Sequence, residues 1–138
     1  MQQIRMILAS VTGLLVLAVS PAHAQRLHDI RIEADAEKET YRFTPPLITA
    51  RPGDVLRFRA GGGVPHSIVF EGAGLNEATR EALNGAMNRR TADLSSPLLT
   101  SEGAEYRIVV PRIPPGIYQL YCLPHRAYDE RAQLRITK

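Results

Sequence analysis

The run Val55-Leu56-Arg57-Phe58-Arg59-Ala60 alternates, with Leu56, Phe58 and Ala60 on one side and Val55, Arg57 and Arg59 on the other. Residues two apart share one face of a strand, so this run offers one face to a core and one to water. Runs of this kind recur along the chain, and proline or glycine closes several of them. Short half-buried strands have to be paired into sheets and closed face to face, which constrains the fold more than any other feature. Leu27 to Ala34 places Ile30, Ile32 and Ala34 together. Leu47 to Ala50 ends at Arg51-Pro52-Gly53-Asp54, with proline and glycine where a type II turn needs them. Gly61-Gly62-Gly63 reads as a loop before a strand from His66 to Phe70. Further strands run from Glu105 to Val110, from Ile117 to Cys122 after the Pro114-Pro115-Gly116 turn, and from Leu134 to Thr137. One segment departs from this pattern. Asn76 to Met87 carries Ala78, Ala82, Leu83 and Ala86 at helical spacing, with Asn76 as its N-cap. The predicted architecture is all-β: an antiparallel sandwich of about seven to eight strands with one short helical insert at about 76–87.

The first 24 residues stand apart from that architecture. Arg5 precedes an apolar run from Ile7 to Val19, and Ala22-His23-Ala24 has the A-x-A form of a cleavage site. The apolar run is short for a membrane span, and no later run is longer. Residues 1–24 are therefore expected to be a signal peptide, and 25–138 a single exported, periplasmic domain. With Arg5 removed, the net charge falls from +3 to +2, too small and too evenly spread to indicate nucleic acid as a partner. The chain is expected to act as a monomer.

Cys122 is the only cysteine, so the exported domain has no internal disulfide. A lone cysteine in such a protein is a reactive thiol, an intermolecular bridge or a metal ligand. Cys122 lies in Tyr121-Cys122-Leu123-Pro124-His125, and His66 lies in Val64-Pro65-His66-Ser67-Ile68. A soft thiolate with two imidazoles and a weak fourth group suits one copper ion that cycles between Cu(I) and Cu(II). Pro124 stiffens the three-residue step between Cys122 and His125. His28, on the first strand, has no partner at ligand spacing. Ser67, Ser101 and the histidines form no nucleophile–base pair by spacing, and the protein is not expected to be an enzyme. Tyr118 is expected to tie down a loop through its hydroxyl.

These segments resemble the cupredoxins, and among them plastocyanin and its bacterial relatives. Phe43-Thr44-Pro45-Pro46-Leu47-Ile48, followed by Arg51-Pro52-Gly53-Asp54-Val55-Leu56, is similar to the family's first half. Pro65-His66-Ser67-Ile68-Val69-Phe70 resembles the run that carries the first histidine ligand. Gly116-Ile117-Tyr118-Gln119-Leu120-Tyr121-Cys122-Leu123-Pro124-His125 resembles the run that carries the thiolate and the second histidine. The resemblance covers nearly all of residues 25–138. It implies a cupredoxin Greek-key β-sandwich with a type 1-like copper at one end, and transfer of single electrons between redox partner proteins that dock near His125. Val64, Pro65, Leu123, Pro124 and Ala127 could form an apolar docking face around an exposed His125.

Two positions depart from the family pattern. The axial methionine of the plastocyanin-like loop falls eight residues after the cysteine, which lands on Glu130; a shorter loop would put Tyr128 there instead. Glu130 aligns the last strand without a shift. It either joins His66, Cys122 and His125 at the metal, where a carboxylate favours Cu(II), or faces solvent. Ser67 replaces the usual asparagine, and its cross-loop hydrogen bond is expected to be weaker or lost. Three functions fit the sequence: a periplasmic one-electron carrier, a copper protein for tolerance, storage or delivery, and a copper-free interaction module.

Overall fold

The computed structural model describes residues 24–138. The expected signal peptide lies outside the described residues except for its last residue, Ala24. Eight strands form two four-stranded sheets: β1 (Leu27–Asp35), β2 (Thr40–Thr44), β3 (Leu47–Ala50), β4 (Val55–Ala60), β5 (Val69–Phe70), β6 (Glu105–Val109), β7 (Gly116–Tyr121) and β8 (Arg131–Ile136). The first sheet has the order β2-β1-β4-β6 and the second β3-β8-β7-β5. Helix α1 (Glu77–Ala86) lies between β5 and β6. This is a two-sheet β-sandwich with one short helix, as the resemblance implied.

Alternation builds the core. Ile30, Ile32, Phe43, Leu56, Phe58 and Ile108 face inward from the first sheet, and Ile48, Leu120, Leu134 and Ile136 from the second; all are buried. Each such side chain contributes about 1.5–3 kcal/mol on leaving water. Phe43 and Phe58 meet edge to face, with ring centroids 6.1 Å apart. The outward residues pair across strands, as Arg57 does with Asp29 opposite it on β1.

The sheets are not purely antiparallel, although alternation and turn chemistry predict an antiparallel sandwich. β1 pairs with β4 and β3 with β8 in parallel. Alternation fixes which face of a strand is buried but not the direction of its neighbour, and here the chain crosses between sheets before returning. β2 was missed: of its five residues only Phe43 is fully buried, so its pattern is weak. The strand expected from His66 is paired with β7 only at Val69 and Phe70. β8 begins at Arg131, three residues before the expected start.

The turn at Arg51–Asp54 forms as expected, with Gly53 at φ +93° and the Asp54 N–H bonded to the Arg51 carbonyl at 3.0 Å. Asn76 caps α1 by accepting from the Thr79 N–H at 2.8 Å. The buried side of the helix carries Thr79 and Leu83, while Ala78 is exposed. Gly62 has φ +79°, and a Cβ there would come within 2.5 Å of the Ala34 carbonyl oxygen. That contact obliges glycine in the loop that leads to His66.

Candidate metal centre

Three loop ends converge at one end of the second sheet. The stretch after β4 delivers His66, whose backbone makes two hydrogen bonds with Leu99, His66 N–H to Leu99 C=O at 3.1 Å and Leu99 N–H to His66 C=O at 2.8 Å. β7 runs directly into Cys122. A 3₁₀ turn over Arg126–Tyr128 carries the chain past His125 to Glu130, just before β8. Asp129 closes that turn in the left-handed region, φ 58°, which aspartate tolerates better than most residues. The Cys122 N–H bonds to the Glu130 carbonyl at 3.0 Å, so both ends of the ligand loop are pinned at its base.

His66, Cys122, His125 and Glu130 form a group whose ligand atoms all lie within 4.8 Å of one another, and all four residues are buried. The Cys122 Sγ is 3.8 Å from the His66 Nδ1 and 3.4 Å from the His125 Nδ1. Metal–nitrogen and metal–sulfur bonds of about 2.0 and 2.3 Å, set about 120° apart, separate the two donors by about 3.7 Å. The three donors are therefore spaced to share one ion.

Glu130 has no exposed surface. The open question about its direction is answered by its contacts: Oε2 is 2.8 Å from the His125 Nδ1, and Oε1 is 3.5 Å from the His66 Nδ1. The second distance is too long for a good hydrogen bond, and it is a charge contact only when His66 is protonated. Oε1 is the buried side-chain polar atom left without a hydrogen-bond partner among the described residues. An orphaned buried oxygen costs about 1–3 kcal/mol, more when charged, and a cation at the centre of the group would satisfy it. The donor set thus fits copper: a thiolate, two imidazoles and a carboxylate around one point. Tyr128, the shorter-loop alternative, sits in the 3₁₀ turn with 46% of its surface exposed, outside the group.

The surroundings hold the donors ready. The His66 Nε2 donates to the Gly61 carbonyl at 2.9 Å, which leaves Nδ1 as the atom facing the site. Burial disfavours the His66 cation, but the contact with Glu130, the Gly61 carbonyl and the charges of Glu130 and Glu102 outweigh it and raise its pKa. Burial, aided by the Glu130 charge, pushes the Cys122 thiol up to about 12 against the pull of the Ser67 N–H. In the metal-free protein Cys122 is therefore a protonated thiol, and a metal must displace that proton.

Of the expectation that the Ser67 bridge is weaker or lost, the loss does not occur. The Ser67 N–H donates to the Cys122 Sγ at 3.4 Å, and its Oγ accepts the Leu123 N–H at 3.0 Å. The shorter side chain still joins the two ligand loops. His125 also differs from expectation: it is not the exposed ligand at the centre of a docking face, because only 7% of it is accessible. Tyr41, from the missed strand β2, stacks on its ring with centroids 3.9 Å apart and planes 12° apart. Leu123, Pro124 and Ala127 are exposed around it, as expected. Tyr118 ties down its turn by donating to the Pro114 carbonyl at 2.7 Å. His28 lies apart from the metal group, bonded through Nε2 to Asp54 at 2.9 Å.

Residues 30–136 match the family of copper binding proteins described as plastocyanin/azurin. The chain is 29% identical over 127 residues to a plastocyanin of Synechococcus sp. (strain JA-2-3B'a(2-13)), covering 91% of this chain and 85% of the relative. It is 28% identical over 127 residues to a plastocyanin of Nostoc punctiforme, covering 88% and 85%. A structure of a mutant fern plastocyanin superposes with a TM-score of 0.63 at 25% identity, covering 80% of this chain and all of that one. The oxidised M98L mutant of amicyanin shares the fold at 18% identity and a TM-score of 0.54, covering 79% and 80%. With its two-sheet sandwich and its buried group of one cysteine, two histidines and one glutamate, this chain belongs to the plastocyanin/azurin family of copper-binding proteins, and copper is its cofactor.

Proposed function

We propose that this protein is an exported, periplasmic one-electron carrier that holds one copper through His66, Cys122, His125 and Glu130. The family is in general one of copper electron carriers rather than enzymes. The observation that carries the reading is the convergence of four buried donors on one point, held by backbone and side-chain bonds that do not depend on a metal. When bound, copper supplies the one-electron couple. The chain's own part is to hold the donors in one arrangement for both oxidation states, to exclude water through burial of all four, and to bias the couple with the Glu130 charge. A partner protein would dock on the apolar rim of Leu123, Pro124, Ala127 and Tyr128, which are exposed in the same loop as His125. Residues 1–24 act as the export signal in this reading, and among the described residues no helix is long and apolar enough to cross a membrane.

Copper tolerance, storage or delivery is the second reading. Cargo has to be loaded and released, whereas a group with His66, Cys122 and Glu130 shut off from solvent favours retention. The two are separated by offering the copper-loaded protein a Cu(I) chelator and, separately, a small redox couple. A carrier exchanges electrons rapidly and keeps its copper; copper that leaves on the timescale of electron exchange contradicts the carrier reading.

A further inference from the structure

The two histidines of the centre are held in different ways. The His66 ring is fixed by the hydrogen bond from its Nε2 to the Gly61 carbonyl. Histidine ligands of metals usually have such an outer bond, because it sets the tautomer and the ring orientation. His125 lacks one: among the described residues no protein group bonds its Nε2. Its Nδ1 meets Glu130 at 2.8 Å, but that nitrogen faces the site and cannot serve a metal and hold a proton for Glu130 together. The rings of His66 and Tyr128 meet the His125 ring edge-on, at 5.0 and 6.4 Å between centroids, and among the described residues Tyr41 alone stacks on its face, at 3.9 Å and 12°.

Tyr41 is placed there by the fold. It shares the inward face of edge strand β2 with Phe43, two residues on, which is locked into the core beside Phe58. Tyr128 packs against Tyr41 at 4.9 Å between ring centroids, and its hydroxyl donates to Glu39 at 3.4 Å. The first sheet thus reaches across to the ligand loop of the second through an aromatic contact. The Tyr41 hydroxyl has no protein partner among the described residues, so the ring face is what His125 uses.

We propose that Tyr41 is a positioning residue for His125, doing by stacking what the Gly61 carbonyl does for His66. This rests on the reading that His125 ligates copper. The test uses Tyr41→Phe, which keeps the ring, and Tyr41→Leu, which keeps apolar cover without a flat face; Tyr41→Val, suited to a strand, carries the same expectation as Tyr41→Leu. Two quantities are measured: NMR contacts and line widths of the His125 ring in the metal-free protein, and the rate at which Cu(I) passes to a chelator. In Tyr41→Phe both match the wild type. In Tyr41→Leu the His125 ring loses its contacts to the Cys122 side chain and broadens while the backbone amide spectrum is retained, and copper leaves about tenfold faster, at the low end of the effect of removing an orienting group. A His125 ring that stays ordered in Tyr41→Leu and Tyr41→Val, with copper leaving at the wild-type rate, overturns the proposal. If the wild type takes up no copper, the ligation reading fails, and the metal-free ring alone decides for or against Tyr41.

Discussion

At residue scale the centre is an arrangement of acids and bases around one point. The Cys122 thiol, raised to about 12, is protonated at neutral pH, so uptake of copper displaces its proton. His66, whose pKa is raised, adds a fraction of a second proton that shrinks as pH climbs through its titration. The sign follows: protons compete with the metal, and affinity strengthens as pH rises. Calorimetric titration in buffers of different ionisation enthalpy is expected to show at least one proton released per copper at pH 8. Uptake with no release would mean that the thiol is not a ligand. Where Glu130 ligates copper, as proposed, it would bias the couple, because an anionic oxygen favours the oxidised ion more than a thioether does. Glu130→Met is expected to raise the reduction potential, with Glu130→Gln between the two; a tenfold change in relative affinity for the two states corresponds to about 59 mV. Three equal potentials would remove Glu130 from the metal. The count of eight from Cys122 pointed to Glu130, but no sequence signal says that a loop carboxylate turns inward; that depends on the left-handed Asp129 and the backbone bond at the base of the loop.

At the scale of elements, stability and ligand placement rest on a few buried side-chain bridges. Ser67 joins the His66 loop to the Cys122 loop, and Ser67→Ala leaves the Leu123 N–H without its acceptor. The expected cost is about 1–3 kcal/mol, read by chemical denaturation of the metal-free protein, and an unchanged midpoint would count against the bridge. Asp54 is the comparable point at the start of β4: it accepts from the Arg26 and Arg51 N–H groups and bonds His28. Burial works against its ionisation, but these bonds outweigh it and hold its pKa below the ordinary value of 3.8. A depressed carboxyl contributes stability that is present above the unfolded pKa and lost as pH falls through the folded one. Wild type and Asp54→Asn are therefore expected to differ in stability at pH 6 and to converge towards pH 2; a constant difference would contradict the assignment. The strongly alternating elements, β1 and β4, were legible in the sequence because buried Ile30 and Ile32 on β1, and Leu56, Phe58 and Ala60 on β4, alternate with residues that are not buried. β2 was not, since its exposed threonine and arginine hide the one core residue, and with it went Tyr41. The survival of the Ser67 bridge was not legible, because sequence gives side-chain length but not the separation of two loops.

At the scale of the whole molecule, the two sheets matter for function chiefly at one end. The second sheet supplies every donor through strand ends or the loops joined to them, and the first adds Tyr41 as a cover on His125. The sandwich was legible from strand number and turn chemistry, and the metal group from the spacing in Cys122-Leu123-Pro124-His125 together with Pro65-His66. The parallel pairings were not, since neighbours in a sheet need not be neighbours in the chain. Export is a separate claim: the intact mass of the secreted protein is expected to start at Gln25, and a mass that retains residues 1–24 would remove the signal peptide. The central claim is that Cys122 binds copper as a thiolate together with His66 and His125. It is tested most directly by the visible absorption and EPR spectra of the copper-loaded mature protein beside its Cys122→Ser variant. The expected result is one copper per chain with a thiolate-to-copper charge-transfer band that disappears in Cys122→Ser, even where some copper remains on the histidines. Wild-type protein that stays colourless with Cu(II), while Cys122 still titrates as a free thiol, would contradict it.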